Sequence, residues 1–537
     1  MQFRFGTKAP ATVVLYRRVL SRNSLGPVVT RQPNASESSI ELVARAMRFG
    51  SYTAIVDRSG RFNYEALLQA SSRVASALLH GSADVLESRV AFLVSPGFEY
   101  VATQWGIWRA GGVAVPLAVM HPPAELEYAI DDSMPAVIVA DRQFESIVRP
   151  LAKQRGLRFV LSDEIMTCES TELPRVAPSR RAMILYTSGT TSRAKGVVTT
   201  HENIAAQIKS LVKAWQWTED DHILHCLPLH HIHGIVNCLS CALWSGATCE
   251  MLPKFEADEV WQRIQDSRRM TLFMAVPTIY TKLITAWSKA PPQEQQTMSG
   301  GCRRLRLMVS GSAALPISTL KQWEQISGHT LLERYGMTEI GMALSNPLVG
   351  ERLAGHVGSP LTAVHVRLVD EQGNEPETDA PAEIQVQGPT VFLEYWKREA
   401  ATRDAFTDDG WFKTGDIATR SGGIYKILGR SSVDIIKTGG YKVSALEIEE
   451  VLRTHEAVDQ CGVVGVADEE WGEVVGAAIV LTTSSELTLP ALIDWAKERL
   501  APYKVPRRLL VLEDLPRNAM SKVTKPEIVK LFENADR

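Results

Sequence analysis

Apolar residues recur along most of the chain in two spacings that alternate with each other. Short continuous apolar runs bounded by polar residues or glycine predict buried strands, and four of them occur early in the chain: 89–95, 111–117, 136–140 and 305–311. Segment 62–79 instead spaces Leu67, Ala70, Val74 and Leu78 as the apolar face of a helix. Because strands and helices alternate from about residue 40 to 430, the pattern predicts layered α/β structure.

The pattern changes after about residue 425. A strand and two glycine turns lead into a helix that we expect to begin near Ser444. Strands at 462–467, 476–483 and 508–514 and a helix at 489–500 follow, which predicts a small α+β domain. We therefore expect a terminal segment at 1–36, a large domain at 37–430 and a small mobile domain at 431–537, joined by a short polar hinge.

Composition excludes several classes of protein. The chain has 537 residues, of which 45% are hydrophobic and 22% charged, and its formal net charge is −3. So small a charge does not favour nucleic acid or an anionic membrane as a partner. The apolar runs are too short to span a bilayer, and seven unevenly spaced cysteines do not resemble a disulfide framework.

The N-terminus has a composition of its own. Residues 1–36 contain six basic residues, and the first acidic residue is Glu37; the basic residues are Arg4, Lys8, Arg17, Arg18, Arg22 and Arg31. A basic, serine-containing segment without acids is typical of a transit peptide, so we expect import into the mitochondrial matrix. A disordered basic tail is the alternative interpretation.

Segment 185–196, LYTSGTTSRAKG, places small and hydroxyl residues directly after an apolar run. Backbone N–H groups in tight turns, together with Ser and Thr hydroxyls, can surround a phosphate, and Lys195 adds positive charge. The lysine precedes glycine rather than following it, so this is not the Walker pattern. An ordinary surface loop remains the alternative.

Histidines and cysteines are concentrated in segment 225–241. Their spacing fits no usual structural zinc pattern, and apolar residues fill the gaps between them. We therefore interpret the segment as the wall of a pocket with one or two working histidines.

Four further stretches carry groups that suit a nucleotide. Tyr335 in YGMTE (335–339) can stack on a purine, while a threonine and a glutamate follow it. Asp416 ends a glycine turn and Arg430 lies near the hinge, so that both could grip ribose hydroxyls. Lys522 lies on a loop near the C-terminus, where a lysine taken alone is usually solvated.

Taken in this order, these motifs resemble the adenylate-forming superfamily of acyl-CoA synthetases, nonribosomal adenylation domains and beetle luciferases. The resemblance covers about residues 40–532, and the segments 273–283, 309–316, 333–345 and 432–449 resemble malonate-activating members of the family. It implies the adenylate-forming fold, with a large N-terminal α/β domain and a mobile C-terminal α+β domain. It also implies an acid–thiol ligase that uses ATP, Mg²⁺ and CoA.

The resemblance further implies roles for individual residues. ATP would be bound by Thr187, Ser188, Gly189, Thr190, Thr191, Lys195, Glu333, Tyr335, Thr338, Asp416, Arg430 and Lys522. Lys522, His231 and Thr338 would be catalytic, Glu339 would hold Mg²⁺, and Ser432 would be the pivot. Gly439 and Gly440 would approach CoA, and Ser310 and His231 would line the acyl site. Ser192 and Ser521 stand where the family usually has glycine.

The implied reaction explains this division of labour. A carboxylate is a poor acyl donor, and converting it to an acyl-AMP supplies a good leaving group. Joining carboxylate to α-phosphate brings two anions together, so Mg²⁺ and Lys522 would screen them. Rotation of the small domain would then withdraw Lys522 and admit the CoA thiolate.

Arg334 is unexpected directly before the YGMTE tyrosine, where family members for apolar acids commonly carry glycine. A guanidinium in the acyl pocket would suit a second carboxylate, and Arg352 could close over the same group. Malonate, with or without a methyl branch, fits both this charge and the malonate-activating members that the chain resembles, so we expect a ligase for that diacid. A structural ion pair of Arg334 with Glu333 or another acid is the alternative. A monocarboxylate ligase and a non-catalytic nucleotide-binding protein are the other functional alternatives.

Overall fold

The computed structural model describes residues 40–187, 194–376, 380–438, 441–468, 471–483, 485–518 and 522–535. Its α-helices are α1 (Glu41–Ala46), α2 (Tyr64–Leu79), α3 (Phe98–Arg109), α4 (Pro123–Ser133), α5 (Glu145–Gln154), α6 (Ser162–Ile165), α7 (His201–Trp215), α8 (Cys241–Ser245), α9 (Ala257–Asp266), α10 (Pro277–Lys289), α11 (Pro292–Cys302), α12 (Ile317–Ser327), α13 (Glu399–Ala405), α14 (Ala445–Leu452), α15 (Leu489–Lys497) and α16 (Lys525–Ala535).

The strands are β1 (Thr53–Asp57), β2 (Gly60–Asn63), β3 (Arg89–Leu93), β4 (Val113–Pro116), β5 (Val137–Ala140), β6 (Arg158–Leu161), β7 (Arg181–Thr187), β8 (Lys195–Thr200), β9 (His222–His225), β10 (Thr248–Met251), β11 (Leu272–Ala275), β12 (Leu307–Ser310), β13 (Leu332–Met337), β14 (Gly341–Ser345), β15 (Ser359–Pro360), β16 (His365–Val369), β17 (Ala382–Gln387), β18 (Glu394–Tyr395), β19 (Phe412–Ser421), β20 (Ile424–Arg430), β21 (Ile435–Thr438), β22 (Tyr441–Ser444), β23 (Val458–Asp468), β24 (Gly472–Leu481) and β25 (Arg508–Leu512).

Two large mixed sheets form the first part of the molecule. One has the strand order β15-β14-β13-β12-β11-β9-β10-β1-β2, and its central strands from β13 to β1 run parallel. The other has the order β18-β8-β7-β4-β3-β5-β6, with a parallel centre and antiparallel strands at the β8 end. Central strands such as β5 and β12 are buried along their whole length, as expected where helices cover both faces of a parallel sheet.

Two smaller sheets complete the fold. Strands β16, β17, β19 and β20 form an antiparallel sheet that ends at Arg430, and β21 begins the next sheet at Ile435. In that last sheet β24 pairs antiparallel with β21 and β23 and parallel with β25. The predicted α/β fold class and the small α+β part are confirmed, and the domain boundary predicted after residue 430 falls between these two sheets.

Local sequence signals account for the element boundaries near the hinge. Ser444 caps α14 by accepting a hydrogen bond from the Glu447 N–H, as the predicted helix start requires. Gly429 has φ +124°, and a Cβ at that position would lie 2.3 Å from the Cβ of Asp434. A glycine therefore permits the close turn that connects the two sheets. Among the described residues, no helix is long and apolar enough to cross a bilayer.

Candidate active site

Strand β13 and the turn after it carry most of the predicted site. Ser310 at the end of β12 pairs in register with Glu333, and β13 then runs to Met337 before a tight turn at 338–340 reverses it into β14. Side chains alternate across a strand, so Arg334 points to the opposite face from Glu333 and Tyr335. We refer to the Arg334 side of this strand as the predicted acyl end and to the Tyr335 side as the predicted nucleotide end.

At the nucleotide end three predicted residues form one network. The Tyr335 hydroxyl donates to Asp416 Oδ2 at 2.6 Å, and Arg430 Nε lies 3.0 Å from Asp416 Oδ1. Asp416 and Arg430 are direct partners across the antiparallel pair β19–β20. Burial raises the pKa of Asp416, although Arg430 opposes that effect. The network offers a carboxylate and a guanidinium to adjacent hydroxyl groups.

Glu339 marks a second part of this end. It is buried, and Tyr395 donates its hydroxyl hydrogen to Glu339 Oε1 at 2.9 Å. Lys195 Nζ lies 4.9 Å from the centre of the Tyr395 ring, so a cation and a carboxylate flank one tyrosine. Burial raises the pKa of Glu339, which takes part in no ion pair within the described ranges.

Glu333 is a buried carboxyl group that pairs with no cation in the described part of the chain. Its Oε1 accepts a hydrogen bond from the Gly355 N–H at 3.1 Å. Burial raises the pKa of Glu333 to about 8, and the negative charge of Glu450 adds to the increase. The predicted alternative of a Glu333–Arg334 ion pair is therefore wrong, because the two side chains lie on opposite faces of β13 and the described residues show no such pair.

Arg334 is a buried cation that meets no carboxylate among the described residues. Only 3% of its surface is exposed. Its Nη2 donates to Ser312 Oγ at 3.3 Å, while its Nε has no hydrogen-bond partner among the described residues. Burial lowers the pKa of Arg334 to about 10, so the side chain is still charged near neutral pH. A buried guanidinium left in this state is costly to the fold.

The turn after β12 is shaped around that guanidinium. A Cβ on Gly311 would lie 2.5 Å from Arg334 Cζ, so only glycine leaves the guanidinium room here. Ser312 follows with φ +69°, a left-handed conformation that costs a serine on the order of 1 kcal/mol. The strained residue presents its hydroxyl to Arg334 and to His233, whose Nδ1 lies 3.3 Å from Ser312 Oγ.

This chain of contacts favours one tautomer of His233. Arginine can only donate, so Ser312 Oγ accepts from Arg334 and has its own hydrogen free for His233 Nδ1. Nε2 then carries the ring hydrogen, and that buried atom has no partner within the part of the chain described. Burial, followed by the charge of Arg334, holds the pKa of His233 well below its usual value, so the ring is neutral.

His231 and Lys522 approach the same place from two domains. Burial lowers the pKa of His231 to about 4, and the positive charge of Lys522 contributes. Lys522 as a whole residue is exposed, but desolvation of its ammonium group, followed by the charges of Arg334 and Arg430, lowers the pKa of that group. The terminal loop therefore places Lys522 near both the acyl end and the nucleotide end.

The structure does not bring every predicted residue together. Ser310 is fully buried at the end of β12, and its hydroxyl has no partner among the described residues. Arg352 instead donates to the backbone carbonyls of Pro347, Leu348 and Thr330 and lines a surface cavity of about 440 Å³ whose lining does not include Arg334. We therefore leave Arg352 out of the acyl site.

The remaining predicted residues have less geometric support. Thr338 lies in the turn after β13, Thr187 ends β7 opposite Lys195, and Ser432 is exposed in the hinge turn. Six predicted residues and both unusual serines lie outside the described residues: Ser188, Gly189, Thr190, Thr191, Gly439, Gly440, Ser192 and Ser521. The histidines and cysteines of segment 225–241 form no metal-holding group in the part of the chain described.

Sequence reasoning missed four residues of the site. Gly311, Ser312 and His233 surround Arg334, and Tyr395 connects Glu339 with Lys195. The Ser-Gly-Ser turn after an apolar strand was the available signal for the first two. Nothing in the local sequence marks Tyr395, because its neighbours in the site lie 56 and 200 positions away along the chain.

Comparisons with known proteins agree with this arrangement. The model of the AMP-binding enzyme family matches residues 42–396, and that of the AMP-binding enzyme C-terminal domain matches residues 447–522. Mitochondrial malonate–CoA ligase ACSF3 of Mus musculus is 46% identical over 530 residues, covering 92% of this chain and 91% of its own.

Two solved structures extend the likeness to three dimensions. ATP-bound MatB from Rhodopseudomonas palustris superposes with a TM-score of 0.85 at 32% identity, covering 93% of this chain and 100% of its own. The o-succinylbenzoate CoA synthetase MenE of Bacillus subtilis, in complex with ATP and a magnesium ion, gives 0.79 at 28% identity and covers 91% and 98%. This chain belongs to the AMP-binding enzyme family, the AMP-forming acid–thiol ligases.

Proposed function

We propose that the protein is a malonate–CoA ligase that forms malonyl-AMP from malonate and ATP and then transfers the malonyl group to CoA, releasing pyrophosphate and AMP. Similarity to malonate–CoA ligases over more than 90% of the chain supports this function. The observation that carries it is Arg334, a buried cation at the acyl end with no acidic partner in the described residues.

A short diacid carries two carboxylates that would pair with the two cations at the acyl end. One carboxylate of malonate reacts with the α-phosphate, and the other, one carbon away, would accept two hydrogen bonds from Arg334. His233 lies within electrostatic reach of both Arg334 and Lys522, so the two cations that would serve the two carboxylates flank one small space. Propionate has no second carboxylate to pair with Arg334, and the site therefore discriminates against it. A methyl branch on malonate would not alter these charges.

In the first step the chain's own residues orient two anions. Lys522 would neutralise charge between the reacting carboxylate and the α-phosphate, and Thr338 would hold a phosphate oxygen. Asp416 and Arg430 would fix the ribose, with Tyr335 beside the adenine. Lys195 and the loop after Thr187 would hold the outgoing pyrophosphate.

The residues around Glu339 fit a magnesium ion. A buried carboxylate with a raised pKa and no ion pair in the described structure gains stabilisation from a hard divalent cation, and carboxylate oxygen is a preferred ligand of magnesium. When bound, the ion would reduce the negative charge of the phosphate groups. Glu339 would hold it, while Tyr395 fixes the carboxylate through its hydrogen bond to Oε1.

In the second step the C-terminal domain would turn about Ser432. This motion would withdraw Lys522 and bring Gly439 and Gly440 to the pantetheine arm, with His231 at the mouth of the thiol path. The basic, acid-free segment at 1–36 supports import into the mitochondrial matrix.

Pyrophosphate release with a panel of acids tests the function. We expect release with malonate and methylmalonate at rates far above those with acetate, propionate or octanoate, followed by malonyl-CoA formation when CoA is added. Release with monocarboxylates at equal or higher rates would contradict the dicarboxylate assignment. No release with any acid, under conditions where ATP binds, would indicate a non-catalytic nucleotide-binding protein.

A further inference from the structure

A buried ionic network joins the hinge turn to the C-terminal helix. Asp434 lies in that turn, and its Oδ2 accepts a hydrogen bond from the Arg430 N–H at 2.9 Å. Its Oδ1 lies 2.5 Å from Lys525 Nζ, which also lies 2.9 Å from Glu449 Oε1 on α14. The side chains of all three ionic residues are at least 86% buried. Two carboxylates from different elements thus share one lysine.

The network has a second anchor within the small domain. Glu449 accepts a hydrogen bond from the Val463 N–H at 2.9 Å and pairs through its other oxygen with Arg453 at 2.9 Å. The position of Glu449 is therefore fixed by β23 and by its own helix. Lys525 connects this fixed point to the hinge.

Lys525 is poorly placed for its own helix. It is the first residue of α16, where the positive end of the helix dipole disfavours a cation. Burial would also lower its pKa, yet Glu449 and Asp434 outweigh burial and raise it. The helix itself does not favour a lysine at this position. The ion pairs with Asp434 and Glu449 therefore account for it.

The same lysine lies three residues after Lys522. Residues at and after Lys522 are tied to residues 516–518, because the Lys522 N–H donates to Asn518 Oδ1 at 3.1 Å and the Thr524 N–H donates to the Pro516 carbonyl at 2.8 Å. A constraint on Lys525 therefore limits where Lys522 can go. Through Asp434 and the backbone of Arg430, that constraint reaches the residue that pairs with Asp416 at the ribose end.

We propose that Lys525 is a positioning residue for adenylation, which ties the loop carrying Lys522 to the hinge turn through Asp434. The hinge and the loop then move as one unit, so that Lys522 reaches the acyl-AMP-forming position whenever the hinge adopts the corresponding conformation. The proposal rests on the proposed function, because it assigns Lys522 to the first half-reaction.

Separate half-reactions test the proposal. Lys525→Met should reduce malonate-dependent pyrophosphate release at least about 10-fold, since a 1 Å misplacement of a reacting group can cost up to 10²-fold. Thioester formation from supplied malonyl-AMP and CoA should change less than about 3-fold, because Lys522 has left the site in that step. Lys525→Arg should retain most of the release rate. Lys530→Met, on the exposed face of the same helix, is the matched control and should behave as wild type.

A second variant covers the case in which Lys525→Met does not fold. Asp434→Asn keeps an oxygen for the Arg430 N–H but removes the charge that Lys525 meets, so it should slow pyrophosphate release and spare thioester formation. Combining it with Lys525→Met should add little further loss. Equal losses in both half-reactions, a change in melting temperature alone, or additive effects would overturn the proposal. Absence of malonate-dependent release in wild type would instead refute the proposed function.

Discussion

Two pairs of charged residues in the candidate site differ in whether the fold brings opposite charges together. In the ladder β19–β20, Asp416 and Arg430 face each other and form a 3.0 Å ion pair that Tyr335 extends. On β13, the adjacent residues Glu333 and Arg334 are equally buried, yet strand geometry sends them to opposite faces and neither meets an opposite charge among the described residues. The first pair is complete within the protein.

The comparison distinguishes a charged pair that is balanced within the protein from a charge that could be balanced by a ligand. The partners of a buried ion pair offset part of each other's desolvation, whereas an unpaired buried charge destabilises the free protein until a ligand supplies its partner. The pKa values of the two arginines follow the same division. Burial lowers the pKa of Arg430, but Asp416 and the neighbouring groups of Tyr335, Glu339 and Asp434 together outweigh it and raise the value, whereas burial lowers the pKa of Arg334 to about 10. Of the two β13 residues, Arg334 is the one that stays charged near neutral pH, and its lack of an acidic partner among the described residues is what supports its proposed role as the carboxylate receptor.

Glu333→Gln tests the unpaired carboxylate and carries the largest expected effect. Since the pKa of Glu333 is raised to about 8, the folded state binds its proton more tightly than the unfolded chain does. Wild-type stability relative to the variant should be greatest below about pH 4.5 and fall as the pH rises to about 8, at about 1.4 kcal/mol for each unit of the pKa difference. Urea unfolding of both ligand-free proteins from pH 5 to 9 measures this. A flat difference would mean that Glu333 has a compensating partner.

Arg430→Leu tests the paired end. Removing the guanidinium leaves Asp416 buried without its cation, which should lower the free energy of unfolding by about 2 kcal/mol, reduced from the fully buried case because part of Arg430 meets solvent. Arg420→Leu, in the same sheet, should cost less than about 0.5 kcal/mol. Equal urea midpoints for the two variants would contradict the view that Asp416 and Arg430 form structural support.

Arg334→Leu should have the opposite sign in the ligand-free protein. Replacing an unpaired buried cation by an apolar side chain should leave the free energy of unfolding unchanged or raise it by about 1 kcal/mol. Thermal and urea unfolding without malonate or ATP provide the measurement. A decrease greater than about 1 kcal/mol would show that Arg334 has a stabilising role in the fold.

The fold could largely be predicted from the chain, and the site only in part. Local sequence determines apolar strands such as 136–140 and the helix start at Ser444. The alternation of strands and helices was therefore sufficient to predict the fold class. Asp416 and Arg430 could be assigned to one site only through family resemblance, because pairing between separate strands decides that they meet.

Other residues depend on three-dimensional detail that no local pattern carries. Arg352 looked equivalent to Arg334 in the sequence, but the loop that bears it turns its guanidinium onto three backbone carbonyls. Ser312 could not be recognised because its role depends on a positive φ and on contacts with Arg334 and His233, which lie 22 and 79 positions away along the chain. Lys525 reads as one of several terminal lysines until its burial between two carboxylates is seen.

The most direct test of the central claim compares malonate with propionate in wild type and Arg334→Leu, with Arg352→Leu as the control. For Arg334→Leu, kcat/KM for malonate should fall at least about 10²-fold, roughly 3 kcal/mol, the scale for losing one partner of a buried charge pair. Values for propionate should change far less or rise, and Arg352→Leu should keep the selectivity of wild type. If Arg334→Leu retains malonate turnover while propionate is unchanged, Arg334 is not the carboxylate receptor.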